Sequence, residues 1–240
     1  MAVYDVNGNV IDSGGGTYAQ KDTRSVLHQG YHVGCEGNSK TAFIQAYTNG
    51  FTNVEADVDV TSDGVMVMSH DSAANISYAD WYAENNDRIT FEEFLSIAKA
   101  LDMHVYLDGK SGVAGSSGKQ AVYSKVAEYG MLDNFIFSGT VATMYTIDPD
   151  VKCADGPGTL TTTWIDNAHE GIQIYTNYAN ITPEVAQYAI DKGFKLGLYT
   201  FSTAGNFLNC YKNIPQASLW TTDNLSVDAI LANEVTSCNS

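Results

Sequence analysis

The chain has 240 residues, of which 44% are hydrophobic and 11% aromatic, so it contains enough apolar material for a packed core and is not a disordered protein. Its formal net charge is −16 and it has only two arginines, Arg24 and Arg88, which excludes a protein that binds duplex nucleic acid through a basic face. No apolar run approaches the ~20 residues that cross a bilayer, so no transmembrane segment is predicted.

Residues 1–22 are predicted to be an N-terminal extension, followed by a single domain over residues 23–240. Within the extension, Asn7-Gly8-Asn9 is typical of a turn and Ser13–Gly16 of a flexible linker. The first residues lack a basic stretch followed by an apolar run, so no signal peptide is expected. The abundance of Tyr, Asn, Thr, Ser and Gly over Lys and Arg nevertheless favours an extracellular protein.

After the extension, short apolar segments alternate with amphipathic segments, which is the pattern of parallel strands joined by helices. Eight strands are predicted: Ser25–Gly30, Asn53–Thr61, His104–Gly109, Asn134–Ser138, Val151–Ala154, Gly171–Tyr175, Lys195–Phe201 and Ser218–Thr222. Val65–Met68 is predicted as a short continuation of the second strand after a turn at Ser62-Asp63-Gly64. The predicted helices are Ser39–Asn49, Thr90–Asp102, Gln120–Tyr129, Val141–Ile147, Leu160–His169, Thr182–Gly193, Ala204–Tyr211 and Ser226–Val235.

Eight strand–helix units in a chain of this length predict an α/β fold of the (β/α)₈ TIM-barrel type. An open doubly wound sheet fits less well, because no Gly-x-Gly-x-x-Gly turn follows the first strand. The four cysteines, Cys35, Cys153, Cys210 and Cys238, do not have the Cys-x-x-Cys spacing of a zinc or thioredoxin-type site. Buried thiols and disulfides both remain open for them.

In such a barrel, catalytic side chains follow the carboxyl ends of the strands. Glu55 and Asp57 are two residues apart on one strand, so both face the barrel interior. Two carboxylates buried together repel each other and lose hydration unless a cation lies between them, and a hard divalent ion is the simplest such cation. Asp108, at the end of the next strand, would supply a third oxygen. The alternative is a hydrogen-bonded acid pair without a metal.

Two histidines and one lysine are expected at the same end of the barrel. His28 and His70 are the natural acid–base pair, because imidazole titrates near neutral pH. Lys110 is two residues after Asp108 and is expected to point at the same site, as a charge for an anionic substrate or as a partner of Asp108 alone. His104 begins its strand at the opposite end of the barrel and is expected to be structural.

These residues occur in an order that resembles the glycerophosphodiester phosphodiesterase family. That family has His-Arg-Gly, Glu-Asn-Thr, Glu-x-Asp-Val, Thr-x-Asp-Gly-Val, His-Asp and Glu-x-Lys. The counterparts here are His28-Gln29-Gly30, Gly37-Asn38-Ser39, Glu55 to Val58, Thr61 to Val65, His70-Asp71 and Asp108-Gly109-Lys110. Tyr199-Thr200 and Trp220 to Asn224 resemble the family's closing strands.

The resemblance implies a barrel enzyme that hydrolyses a glycerophosphodiester to an alcohol and glycerol phosphate. It implies one divalent ion, Ca²⁺ or Mg²⁺, held by Glu55, Asp57 and Asp108. It also implies that His28 and His70 are the general acid and base. The substrate-binding residues that it implies are Gln29, Lys110, Tyr199 and Trp220.

The chain departs from the family pattern in ways that keep other functions open. Gln29 stands where the family has Arg, Gly37 precedes Asn38, and Asp108 is one methylene shorter than Glu. The short segment Ser72–Arg88 predicts an open site that would accept a small or a polymeric phosphodiester. The alternatives are a lyase that stops at a cyclic phosphate, as in spider-venom sphingomyelinase D enzymes, and a weakened barrel that binds wall teichoic acid in a phage tail or extracellular protein. The sequence does not determine the oligomeric state.

Overall fold

The structure is a computed structural model that describes residues 3–4, 10–12, 25–139, 141–199, 201, 206, 210, 213–214 and 216–220. The strands are β1 Val3–Tyr4, β2 Val10–Asp12, β3 Ser25–Val26, β4 Asn53–Val60, β5 Met66–Met68, β6 His104–Gly109, β7 Phe135–Ser138, β8 Cys153–Asp155, β9 Gln173–Asn177, β10 Lys195–Tyr199 and β11 Ala217–Trp220. The helices are α1 Lys40–Thr48, α2 Tyr78–Glu84, α3 Phe91–Ala100, α4 Ser116–Glu128, α5 Val141–Ile147, α6 Thr162–Asp166 and α7 Pro183–Asp191.

Some predicted elements lie partly or wholly outside the described residues. The linker Ser13–Gly16, the closing helix Ser226–Val235 and the last two residues of the eighth predicted strand lie wholly outside them. Of the predicted helix Ala204–Tyr211, only Asn206 and Cys210 are described, and both are helical.

The parallel strands follow one another around a barrel in chain order: β3, β4, β6, β7, β8, β9, β10 and β11. On one side β3 pairs with β11, where Val26 lies opposite Trp220. On its other side, a parallel bridge between Leu27 and Val54 joins the end of β3 to β4. The sheet therefore returns to its first strand, which confirms the predicted (β/α)₈ barrel.

The main hydrophobic core lies between the outer face of the barrel and the helices. In β4, Val54, Ala56 and Val58 are buried in this core, and the residues between them face the interior because side chains alternate along a strand. Aromatic rings from the helices fill the same layer, with the centroids of Phe43 and Phe94 4.5 Å apart. The apolar outer face thus leaves the inner face of β4 for polar side chains.

The segment after β4 differs from the prediction in two respects. Residues 66–68 do not continue the second strand but run back antiparallel to it as β5, because Gly64 has a φ of +86° and the N–H of Gly64 donates to Thr61 in a tight turn. Helix α2 also forms within Ser72–Arg88, where no helix is predicted. Its N-cap is Ser77, and it buries Trp81 in a small apolar cluster.

Two strands begin two residues later than predicted. The strand predicted at Gly171–Tyr175 is observed at Gln173–Asn177, and the one predicted at Val151–Ala154 at Cys153–Asp155. For the first, Gly171 has a φ of +87° and belongs to the preceding turn, so regular pairing starts only after it. In contrast, the predicted bounds of His104–Gly109 and Val141–Ile147 are confirmed.

Two further features concern the extension and the cysteines. Within the predicted extension, β1 and β2 pair antiparallel with each other. Cys35, Cys153 and Cys210 are free thiols, and Cys238 lies outside the described residues. In the described part of the chain, no helix combines the length and the hydrophobicity needed to cross a bilayer.

The start of α3 provides a test of helix capping. The Thr90 hydroxyl accepts the Glu93 N–H at 3.2 Å, and the Glu93 carboxylate accepts the Thr90 N–H at 2.8 Å. We expect Thr90→Ala to lower the free energy of unfolding by about 1 kcal/mol, measured by urea titration, because it leaves backbone donors without their cap. Thr146→Ala is the control, since that exposed hydroxyl donates to the carbonyl of Thr143 within its own helix. An equal loss in both variants would contradict the assignment.

Candidate active site and metal centre

Three carboxylates meet at the carboxyl ends of two neighbouring strands. Glu55 and Asp57 extend from β4 and Asp108 from β6, and each offers an oxygen atom within 4.8 Å of the others. Asp57 and Asp108 are direct register partners in the parallel pair, which is why their side chains meet. Glu55 and Asp57 are 3% and 1% exposed, so their carboxylates lie almost entirely away from solvent.

An aromatic layer inside the barrel forms the floor of this site. Tyr106 packs with Val26, Ile136, Tyr175 and Tyr199, which come from four other strands. Tyr106 lies two residues before Asp108 and therefore on the same face of β6, one layer deeper. The carboxylates thus lie above packed rings, an environment that disfavours negative charge.

This environment acts most strongly on Glu55. Burial raises the pKa of Glu55 well above its ordinary value, and the nearby Asp57 carboxylate raises it further. The backbone N–H of Gln29 opposes this pKa shift by donating to Glu55 Oε2 at 3.1 Å. The Nε2 atom of His28 lies 3.8 Å from the same oxygen. His28 and the backbone of Gln29 therefore lie at the acidic cluster.

Asp57 is held from two sides. Asn38 donates from Nδ2 to Asp57 Oδ2 at 2.7 Å and accepts the Asp57 N–H on its own Oδ1 at 3.0 Å. Asn38 is buried and has a φ of +59°, in the left-handed region that Asn tolerates better than most residues. Sequence reasoning did not assign Asn38 to the site. The signal that could have found it was its match to the Asn of the family's Glu-Asn-Thr motif, directly before the cap of α1.

Lys110 lies between the two aspartates. Its Nζ is 2.8 Å from Asp57 Oδ1 and 2.6 Å from Asp108 Oδ2, so it is not a partner of Asp108 alone. Burial opposes its charge, but the two carboxylates outweigh burial and raise the pKa of Lys110 above its ordinary value. Ser138, on the next strand, donates to the second oxygen of Asp108 at 2.9 Å. Ser138 was also missed by sequence reasoning.

The other histidines occupy different positions. His70 follows β5 at the edge of the site, its side chain is 55% exposed, and its Nδ1 lies 3.2 Å from Asp71 Oδ1. The preceding Ser69 N–H donates to the carbonyl of Asp57 at 3.0 Å, which places this segment beside the acidic cluster. His104 is the first residue of β6, at the opposite end of the barrel as expected.

Two of the departures from the family pattern are in contact with each other. A Cβ atom on Gly37 would collide with Gln29 Oε1, so the absence of a side chain at position 37 leaves room for that of Gln29. Glu36 instead binds Arg88, with Oε1 3.1 Å from Nε, and accepts from Asn85 at 2.5 Å. This pair joins the loop after β3 to the segment that carries α2.

The two aromatic residues proposed for substrate binding come from the last barrel strands. Tyr199 is half-buried, with its ring centroid 5.4 Å from that of Tyr175 inside the barrel. Trp220 is the last residue of β11, and its side chain lies outside the described part of the structure.

The donor set fits a hard divalent cation. All three groups are carboxylates, and Ca²⁺ and Mg²⁺ prefer oxygen ligands. A cation among Glu55, Asp57 and Asp108 would also offset the charge that burial disfavours. This acidic cluster can therefore hold a metal ion.

A known protein family matches the segment of the chain that carries this site. Residues 28–126 match the sequence model of the Glycerophosphoryl diester phosphodiesterase family. The match confirms the resemblance to this family over these residues. The matched segment contains His28, Glu55, Asp57, His70 and Asp108. No curated protein matches the chain at a significant level.

Solved structures show the same fold. A glycerophosphodiester phosphodiesterase from Thermotoga maritima superposes with a TM-score of 0.69 at 16% identity, covering 88% of this chain and 98% of that one. One from Parabacteroides distasonis gives 0.69 at 17%, covering 83% and 92%. A phosphodiesterase from Oleispira antarctica, in complex with the product sn-glycerol-3-phosphate, gives 0.71 at 14%, covering 82% and 92%. At these identities the likeness concerns the barrel fold.

The raised pKa of Glu55 predicts how the stability depends on pH. The folded state holds the Glu55 proton more tightly than the unfolded state, so stability is lost as the pH rises from the ordinary pKa of about 4.3 through the raised value. We expect Glu55→Gln to raise Tm at pH 7 in a chelator, and the difference from wild type to shrink towards pH 4.5.

The same variant tests the metal site. Ca²⁺ or Mg²⁺ should raise Tm of the wild type but not of Glu55→Gln, because a ligand that binds the folded state stabilises it. Glu92→Gln, at an exposed carboxylate on α3, is the control and should respond like the wild type. An equal metal response in wild type and Glu55→Gln would rule out the site.

Proposed function

We propose that this protein is a metal-dependent glycerophosphodiester phosphodiesterase, which hydrolyses its substrate to an alcohol and glycerol phosphate. The observation that carries the proposal is the convergence of Glu55, Asp57 and Asp108 with Lys110 and His28 at the carboxyl end of the barrel. The family match over residues 28–126 and the glycerol phosphate product in the Oleispira antarctica structure support the choice of substrate class.

The acidic residues would hold one divalent ion. We propose Glu55, Asp57 and Asp108 as its ligands, and Ca²⁺ or Mg²⁺ as its identity, because the donor set consists of oxygens only. When bound, such an ion polarises a phosphoryl oxygen and offsets developing negative charge. The hydrogen bonds from Asn38 to Asp57 and from Ser138 to Asp108 orient two of the three ligands.

Lys110 would contribute a fixed positive charge beside the phosphodiester. Its ammonium group is anchored by Asp57 and Asp108, and a lysine has three N–H donors, so one remains for a phosphoryl oxygen. This charge matters here because Gln29, which stands in place of the family's Arg, provides only neutral hydrogen bonds and has its side chain against Gly37.

The two histidines would transfer the protons. The attacking oxygen must lose a proton and the leaving alkoxide must gain one, so a base and an acid are both required. The Nε2 atom of His28 lies 3.8 Å from Glu55 Oε2, at the acidic cluster. His70 is at the solvent edge beside Asp71, where it can exchange protons with water. Tyr199 and Trp220 are proposed to contact the organic part of the substrate.

The direct test is turnover of glycerophosphodiesters with different alcohols, both small and polymeric. Phosphorus NMR would follow the products, with chelator, Ca²⁺ or Mg²⁺ added in parallel. We expect glycerol phosphate to form only with a divalent ion. A cyclic phosphate as the final product would support the lyase alternative. No turnover with either ion on any substrate would contradict the proposal.

The roles of the histidines predict large losses of activity. We expect His28→Ala and His70→Ala each to lower kcat by roughly 10²–10⁴-fold, the usual contribution of one general acid or base. The double variant should be little worse than the poorer single variant, because the two residues act as a unit. His104→Ala, at the far end of the barrel, is the control and should retain kcat. Wild-type turnover in His70→Ala would show that another group transfers that proton.

Lys110 has a matched control on the outer surface. Lys110→Ala should lower turnover by at least ~10²-fold, because it removes a charge that stabilises the transition state. Lys125 also contacts two carboxylates, at 2.6 and 3.0 Å, but it lies on α4 away from the site. Lys125→Ala should therefore leave turnover unchanged. Equal turnover in Lys110→Ala and wild type would refute the role of Lys110.

A further inference from the structure

A third acidic residue of β4 has a different role from Glu55 and Asp57. Asp59 is fully buried, at 0% exposure, and among the described residues it is not part of the acidic cluster. Both of its oxygens accept backbone N–H groups. Oδ2 accepts from Ala73 at 3.0 Å, and Oδ1 accepts from Gly112 at 2.6 Å.

The two donors belong to the segments that carry proposed catalytic and substrate-binding residues. Ala73 lies three residues after His70, between β5 and α2, and Gly112 lies two residues after Lys110, between β6 and α4. The two segments also touch directly, because the hydroxyls of Ser72 and Ser111 are 3.3 Å apart. The buried carboxylate of Asp59 thus connects the backbone that follows His70 with the backbone that follows Lys110.

The close approach of the second segment depends on a glycine. A Cβ atom on Gly112 would collide with Asp59 Oδ1 and would lie 2.5 Å from Val60 Cγ1. The absence of a side chain therefore allows the Gly112 N–H to reach the carboxylate. The contact therefore depends on the loop backbone at Gly112 and on the absence of a side chain there.

We propose that Asp59 is a positioning residue, which holds His70 and Lys110 in one fixed arrangement by binding the loops that follow them. This inference rests on the proposed phosphodiesterase function. Asp59 acts through the two loops and does not touch the substrate. The role requires a carboxylate, because two N–H donors need two acceptor oxygens. An Asn side chain has one acceptor oxygen, and its NH₂ group would face the second N–H donor.

The test compares Asp59→Asn with Asp63→Asn. Asp63 lies on the same β-hairpin and also accepts a backbone N–H, from Tyr78 at 2.9 Å, but that bond leads to α2 and not to the loops behind His70 and Lys110. We expect Asp59→Asn to lower kcat by at least ~10-fold, because small misplacements of reacting groups cost up to about 10²-fold. Its Ca²⁺ or Mg²⁺ affinity should match the wild type, since the three proposed ligands remain. Asp63→Asn should retain kcat.

A double-variant cycle separates positioning from general destabilisation. If Asp59 acts through Lys110, the kcat losses of Asp59→Asn and Lys110→Ala should be clearly less than additive, whereas independent effects would add. All variants are assayed at a temperature at which circular dichroism shows them folded. Wild-type kcat in Asp59→Asn, or additive losses, would overturn the positioning role.

Amide hydrogen exchange tests the contact without an activity assay or a variant. In the wild type, the N–H groups of Ala73 and Gly112 should exchange slowly although neither belongs to a strand or an α-helix. Fast exchange at both would overturn the inference even if the enzyme is active. Slow exchange in a protein without phosphodiesterase activity would instead show that the proposed function has failed while the contact exists.

Discussion

The burial of Glu55 and Asp57 inside the barrel is the constraint on which the site depends. The two carboxylates lie above a layer of packed aromatic rings, so their charge must be balanced by a cation or by hydrogen bonds. Lys110 provides the cation next to Asp57, and Asn38 provides the hydrogen bonds. The same arrangement makes the oxygens available as a set for a divalent ion, so the groups that stabilise the buried charge also define the chemistry.

The barrel architecture explains why these groups meet. Parallel strands in register bring Asp57, Asp108 and Ser138 side by side on three successive strands. The outer face of β4 is apolar and packs against the helices, so the acidic residues Glu55 and Asp57, which alternate with it, are directed inward. The hydrophobic core thus lies on the outer face of β4, and the acidic cluster lies on its inner face.

The loops around the site are held by side-chain contacts. Glu36 binds Arg88 and thereby connects the loop after β3 to the segment of α2. Asp59 connects the two loops behind His70 and Lys110. Gln29 and Gly37 differ from the family pattern together, because the side chain of one fills the space left by the other. The rim of the site is therefore a connected structure, although its segments are far apart in sequence.

The sequence by itself determined the barrel, the helix that begins at Thr90 and the shared inward face of Glu55 and Asp57, because strand alternation, helix periodicity and a two-residue spacing are local properties of the chain. Local patterns did not reveal the return of β5 along β4, nor the roles of Asn38, Ser138 and Asp59. Each of these three residues binds a partner 19, 30 or 53 positions away. Only the tertiary structure decided those contacts, since strand register and loop packing bring such distant groups within hydrogen-bonding distance.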